Sequence, residues 1–439
     1  LQIKCEKLRT VLALVGPAVP KNPSQKILSN VRINRGRIEA TDLDTSIAVS
    51  LPESADSLFL LPRLAVLDTL KYVPGYEPLT VSLDTESSIK ISWSNGSAGF
   101  KASGVEDYPD AVFDLNEPRS QCQLEGDALI RSLMSALPYC ATESNRPVLT
   151  GVALDLGDVL VVCGADGFRV SYESLKMAYP EKTTIVLPQA AVKTLSYLWG
   201  KQPGRQEEVN SFIDMITNPR MLTLSLGEGK ASFKFGDITV ISRLISGDYP
   251  DILRLLNGFK ESTEIRLMAP DLYNAVVRMI YVCKEGVGIT KLKWTEDQMT
   301  VSAAAQESCD ISSIIPVQAS TPGRIAVNIT YLLRYLKGKE SAMTLGVETE
   351  NAPLLCHYEN LPLVAIMPMR ASWGDEPKEE APQEEAPQAN QAEAEANETG
   401  GEEAGEEAGE EAAGDAKEEM AASGAGAGKT GKRGRRKKS

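Results

Sequence analysis

Histidine is almost absent from this chain: His357 is the single one in 439 residues. That excludes histidine-based metal clusters. It also leaves any Ser-His-Asp or Cys-His device dependent on one residue in a strand-like stretch, LLCHYENLPL. The seven cysteines (Cys5, Cys122, Cys140, Cys163, Cys283, Cys309 and Cys356) contain no CxxC pair and form an odd set. Scattered singly, they read as small apolar core residues in a reducing compartment, not as a disulfide framework or a zinc site. No apolar run approaches the roughly 20 residues that cross a bilayer. The segment LQIKCEKLRT lacks the apolar stretch of a signal peptide, so a soluble, cytoplasmic protein is expected. Catalysis, metals and cofactors are all expected to be absent.

What is present is a threefold repeat. An apolar run leads into an amphipathic helix at LLPRLAVLDTLKYV (Leu60 to Val73), VLPQAAVKTLSYLW (Val186 to Trp199) and AVNITYLLRYLKGK (Ala326 to Lys339). Pro62 and Pro188 are expected in the first helical turn, where a missing N–H costs nothing, with Asn328 in the same place as a cap. A second helix precedes each phrase, at Lys7 to Val15, Ala128 to Ala141 and Leu272 to Cys283. EDYPD (Glu106 to Asp110) recurs as GDYPD (Gly247 to Asp251), and the strand-rich block Val31 to Leu51 is matched by Val152 to Tyr172. Each unit reads helix, strands, helix, strands. Three domains also agree with a length prior of roughly 100–200 residues per domain.

Composition changes after Arg370. From Ala371 to Ser439 there are 18 Asp+Glu against 9 Lys+Arg and almost no large apolar residues, which predicts a disordered tail, acidic to Glu419 and ending in the basic GKRGRRKKS. GAGAGKT (Gly424 to Thr430) is not a phosphate loop, because Ser423 stands where the first glycine belongs and no strand precedes it.

The tail carries −9 of the chain's −14, leaving −5 on the body. Yet the quoted helix spans hold one acid, Asp68, beside Lys7, Arg9, Arg63, Lys71, Arg131, Lys193, Arg278, Arg334 and Lys337. Such segregation predicts one basic face suited to sequence-independent contact with a phosphate backbone. Base-reading motifs are missing, so the expected binding is nonspecific.

VLTGVALDL followed by GADGFRVS (Gly164 to Ser171), ATDLDTSI (Ala40 to Ile47), GDYPDILRLL (Gly247 to Leu256) and VAIMPMR (Val364 to Arg370) together resemble the bacterial beta sliding clamp family, DNA polymerase III subunit beta. The likeness runs in order through residues 1–370. It implies an α+β fold of three clamp domains, at 1–118, 119–254 and 255–370, each with two helices packed on antiparallel sheets, and a tail at 371–439. Two chains would associate head to tail into a six-domain ring around duplex DNA, with the helices inside. The resemblance further implies a nucleoid-associated processivity factor that tethers the polymerase III alpha subunit, the clamp loader and repair polymerases through short peptides. It implies no enzymatic activity of its own and no membrane partner.

Carried over by position, the peptide cleft would comprise Leu149, Ala165, Gly167, Phe168, Arg169, Val170, Pro250, Arg254, Leu255, Ile366, Met367, Pro368 and Met369, with Arg370 at the edge. Phe168 stands where the family commonly has histidine, which makes the cleft more apolar. KNPSQKIL (Lys21 to Leu28) departs from the usual pattern, so a DNA-contacting arginine falls on Asn22 beside Lys21, whereas Arg146 keeps a base on the second DNA-facing loop. At ring closure Phe100 and Ala102 would meet Tyr281 and Val282 of a second chain. Two other readings remain: an α/β-repeat enzyme using Asp42 and Asp44 as metal ligands, and a clamp-like paralogue or scaffold without a replicative role.

Overall fold

The computed structural model describes residues 1–373 apart from 86–87, 102, 111–112, 114, 116, 144, 202–219, 286–287 and 305–309. The first repeat runs β1 (Gln2–Lys4), α1 (Cys5–Leu14), β2 (Asn30–Asn34), β3 (Arg37–Thr41), β4 (Thr45–Ser50), β5 (Leu58–Pro62), α2 (Arg63–Leu70), β6 (Pro78–Thr85), β7 (Ser88–Trp93) and β8 (Gly96–Lys101). The second follows the same plan with β9 (Ser120–Glu125), α3 (Gly126–Ala136), β10 (Gly151–Leu156), β11 (Leu160–Ala165), β12 (Arg169–Leu175), β13 (Thr183–Pro188), α4 (Gln189–Trp199), β14 (Met221–Gly227), β15 (Lys230–Phe235) and β16 (Ile238–Arg243). A short helix α5 (Ile252–Asn257) leads to the third: β17 (Thr263–Met268), α6 (Ala269–Arg278), α7 (Ile280–Glu285), β18 (Ile289–Trp294), β19 (Gln298–Ala304), β20 (Asp310–Pro316), β21 (Gln318–Ala319), β22 (Gly323–Asn328), α8 (Ile329–Leu336), β23 (Ala342–Val347), β24 (Leu354–His357) and β25 (Leu363–Ile366).

Local chemistry explains the junctions. Arg35 and Gly36 both take positive φ between β2 and β3, the two-residue turn whose twist suits a tight hairpin. Pro62 and Pro188 are not inside the helices as expected. They end β5 and β13 and cap α2 and α4, in the ladder position where Asn328 ends β22. Of these three, Asn328 alone caps with its side chain, accepting from the Thr330 N–H at 2.9 Å. The expected helix at Leu272 to Cys283 is two helices, α6 and α7.

Within each repeat the two main helices pack on each other, α1 on α2, α3 on α4 and α6 on α8. Their buried stripes recur at helical spacing, as in Leu272, Ala275 and Val276 of α6 and Ile329, Leu332 and Leu336 of α8. Those stripes join the inner faces of the sheets into one core across the first two repeats and another in the third.

The sheets tie the repeats together. Antiparallel pairing of β4 with β16 joins repeats one and two in an eight-stranded sheet, and β12 with β25 joins two and three in a nine-stranded sheet. Four-stranded sheets β1-β6-β7-β8 and β20-β19-β18-β22 remain at the two ends. The connector after repeat one is held by Arg32, which is 3% exposed and lies against the stacked rings of Tyr108 and Phe113. Arg32 Nε donates to Glu39 Oε2 at 2.8 Å, and the guanidinium also pairs with Asp110.

Candidate peptide cleft and nucleic-acid face

The turn between β11 and β12 is built from three residues. Asp166 accepts the N–H groups of Phe168 and Arg169 on Oδ1 at 2.9 and 2.7 Å, and Gly167 between them takes φ 90°, where a Cβ would be strained. Asp42 does the same in the first repeat, accepting from Asp44 and Thr45. Of the two residues read as possible metal ligands, Asp42 thus spends its carboxylate on a repeated turn and Asp44 contributes its N–H to it. Among the described residues no cluster of three His, Cys, Asp or Glu is placed to hold a metal ion. The lone histidine is half-buried, with His357 Nε2 3.0 Å from Glu261 Oε1.

This turn directs Phe168 outward, 59% exposed, and Arg169 inward, 4% exposed. Arg169 donates to Asp166 Oδ2 from Nε at 2.9 Å and Nη2 at 2.6 Å, and from Nη2 to the Pro138 carbonyl at 3.2 Å. Tyr139 and Tyr331 flank its guanidinium, at 5.3 and 4.6 Å from the ring centroids. On the neighbouring strand Arg169 pairs with Ile366 and Val170 with Ala365, while the Met367 N–H donates to the Phe168 carbonyl at 2.8 Å. Pro368 then bridges to Val327 and the Met369 N–H reaches the Ala326 carbonyl. Gly167 to Val170 and Ile366 to Met369 are thus laid side by side, though they are about 200 residues apart in the chain.

Leu149, Ala165 and Ile252 form a buried cluster, against which Val170 and Leu256 pack half-buried. Around it Phe168, Leu255 and Met367 keep large apolar surfaces in solvent, and Pro250, Arg254 and Arg370 are exposed. The arrangement combines a firm apolar floor with exposed apolar rims, which suits apolar side chains of an extended peptide. Tyr331 was missed. It stacks on Phe168 with centroids 6.2 Å apart and lines a cavity of about 290 Å³ with Pro138, Glu143, Phe168, Arg169 and Arg334. A signal existed: the residue three past the strand-ending position is Ala65 in the first copy and Ala191 in the second, but Tyr331 in the third.

The basic residues are in mixed states. Lys21, Lys71, Arg131, Arg146, Lys193, Arg278, Arg334 and Lys337 are exposed. Lys7 pairs with Glu53, Arg9 is half-buried, and Arg63 donates to the Leu12 carbonyl at 2.8 Å within the α1–α2 seam, where burial pulls its pKa down. Acid depletion is less complete than the quoted spans implied. Each first helix begins upstream of its span and carries an acid in its first turn, Glu6, Asp127 and Asp271, where the helix dipole favours it.

Of the four expected contact residues for a second chain, Phe100 lies half-buried on β8, Tyr281 is 67% exposed on α7, and Val282 is buried in the core of its own repeat. Ala102 lies outside the described residues. Ile314, not anticipated, is 66% exposed on the edge strand β20.

Residues 123–251 match the family model of the DNA polymerase III beta subunit, central domain. The beta sliding clamp of Staphylococcus aureus (strain Mu50 / ATCC 700699) is 23% identical over 341 residues, covering 73% of this chain and 85% of that protein. That of Staphylococcus epidermidis is 24% identical over 343 residues, with the same coverage. Among solved structures, the DNA polymerase III subunit beta of Pseudomonas aeruginosa superposes with a TM-score of 0.73 at 20% identity, over 84% of this chain and 100% of that one. The beta subunit of Thermotoga maritima gives a TM-score of 0.69 at 16% identity, over 85% and 99%. A Pseudomonas aeruginosa clamp bound to griselimycin gives 0.71 at 20% identity, over 84% and 99%.

Proposed function

We propose that this chain, a relative of the bacterial beta sliding clamps, is a DNA polymerase processivity factor that closes as a head-to-tail dimer around duplex DNA. The supporting observation is the pattern of strand pairing between repeats. The last strand of the first βββ unit of repeat one, β4, pairs with the last strand of the second unit of repeat two, β16; β12 and β25 repeat the rule between repeats two and three. Continuing it requires β20 to pair antiparallel with β8, and both are edge strands within this chain. A second copy would satisfy both of these edges at once, burying Ile314 and Phe100.

In this reading the function is topological. A partner tethered to a closed ring cannot diffuse away from its template, while exposed basic residues such as Arg131, Lys193 and Arg278 contact phosphates weakly enough to slide. No bond is made or broken by the chain, so no catalytic group is needed. The cleft of Leu149, Ala165, Val170, Leu255 and Met367 would hold apolar side chains of short peptides from polymerases, the clamp loader and repair proteins. No described helix is long and apolar enough to cross a membrane.

The test is retention on nicked circular DNA after loading. Protein that stays on the circle and is lost when the circle is linearised fits encirclement. Equal retention on both forms would reject it.

A further inference from the structure

A second cavity, of about 180 Å³, lies on the other side of Arg169, between α3 and β12 of the second repeat and α8 of the third. Its polar lining includes Ser135, Arg169, Ser171, Arg334, Tyr335 and Lys339, and no lining residue is acidic. The charges there are unequal in status. Arg169 is neutralised by Asp166, whereas Arg334 has no ion-pair partner among the described residues. Lys339 is half-buried, and among the described residues its ammonium meets the Tyr335 carbonyl at 2.6 Å and the faces of Tyr335 and Tyr358.

Two hydroxyls add to this. Among the described residues, Ser171 Oγ and Tyr335 Oη are buried without a hydrogen-bond partner, on residues 0% and 3% exposed. A buried donor left unsatisfied is costly, and the half-buried Lys339 ammonium without a counter-charge adds to that cost. An anion able to accept several hydrogen bonds would relieve both. The space suits a tetrahedral oxyanion with a few waters, each water filling about 30 Å³, and an arginine fork and a lysine point charge in one lining match phosphate oxygens.

We propose that this cavity is a phosphate-class oxyanion site, filled either by free phosphate or pyrophosphate or by a backbone phosphate of nucleic acid. Bound there, the anion joins β12 of repeat two to α8 of repeat three and stiffens the seam that carries Arg169, Phe168 and Tyr331. The site does not require ring closure.

The experiment is calorimetric titration of the full chain with inorganic phosphate and with pyrophosphate, at constant ionic strength against chloride. Saturable binding is expected, weakened at least tenfold by the double variant Arg334→Gln/Lys339→Gln, whose basic C-terminus is unchanged and controls for the tail. Ser171→Ala is expected to weaken binding several-fold without lowering thermal stability in chloride, since it removes an unsatisfied hydroxyl, and this separates ligand loss from misfolding. Displacement of bound phosphate by a short linear duplex, in wild type but not in the double variant, would identify the source as backbone phosphate; no displacement would identify the free anion. Absence of saturable binding, or equal affinity in wild type and double variant, overturns the site. Because no DNA circle is used, that result leaves the clamp reading standing.

Discussion

The Arg169 guanidinium, from the second repeat, lies 4.6 Å from the ring centroid of Tyr331, from the third. One face of Tyr331 is thereby committed to Arg169 while Phe168 stacks on the same ring system. A desolvated cation–π contact is worth up to about 2 kcal/mol. Tyr331→Ala is therefore expected to weaken binding of a clamp-binding peptide about 10–30-fold, and Tyr331→Phe to change it less than about threefold. Fluorescence anisotropy with a labelled peptide measures both; equal losses would place the effect on the hydroxyl instead of the ring.

Ile314 exposes most of its side chain on an edge strand of the third repeat. A charge at the centre of an apolar contact leaves an unpaired buried ion. Ile314→Asp is expected to convert a two-chain species into monomers at micromolar concentration in sedimentation velocity, with the peptide cleft unaffected. A dimer that survives the substitution contradicts pairing through β20.

Glu39 is fully buried beneath Arg32, while the Asp110 side chain on the same guanidinium is 85% exposed. Removing Glu39 leaves the buried Arg32 with only the solvent-exposed Asp110 and a lost buried partner, so Glu39→Ala is expected to cost about 3 kcal/mol. Asp110→Ala should cost about 1 kcal/mol or less. Denaturant melts of the two variants give the comparison, and similar losses would mean that burial does not set the energy.

Burial pushes the Cys140 and Cys163 thiols from the ordinary 9.0 up to about 12, and the Tyr139 hydroxyl from 10.0 up to about 12. Folding thus favours the protonated forms. Their contribution is complete below pH 9 and is lost as pH rises towards 12, because only the unfolded chain has shed those protons in that window. Stability should fall there by about 1.4 kcal/mol per pH unit for each such group. Thermal melts between pH 8 and pH 11 test the slope; a flat profile would mean that these groups are hydrated.

Trp373 lies over Arg324 at 4.9 Å and Lys291 at 5.5 Å, and Lys291 Nζ donates to the Ser372 carbonyl at 2.6 Å. The packed chain thus continues three residues beyond Arg370, where the composition changes. Truncation after Trp373 is expected to leave the melting temperature unchanged, and truncation after Arg370 to cost about 1 kcal/mol. Identical melting of the two would show that the Trp373 contact contributes nothing.

Much of the fold was legible because it depends on periodicity. Repeated apolar phrases located the main helices, and residues such as Leu332 and Leu336 face inward because a helix returns to one side every three or four residues. Helix starts were less legible, since Pro62 and Pro188 satisfy a strand end as well as a helix start. Tyr331 was overlooked because its partners, Phe168 and Arg169, are some 160 positions away.

By itself the sequence determined the count of repeats and their helix-and-strand order, since periodicity acts over a few residues. Only the tertiary structure decided which strands pair between repeats, that Arg169 turns inward while Phe168 stays out, and that Arg334 and Lys339 border an uncompensated cavity. Those outcomes depend on burial and on charges brought together from distant segments, and no local pattern records what a side chain will meet.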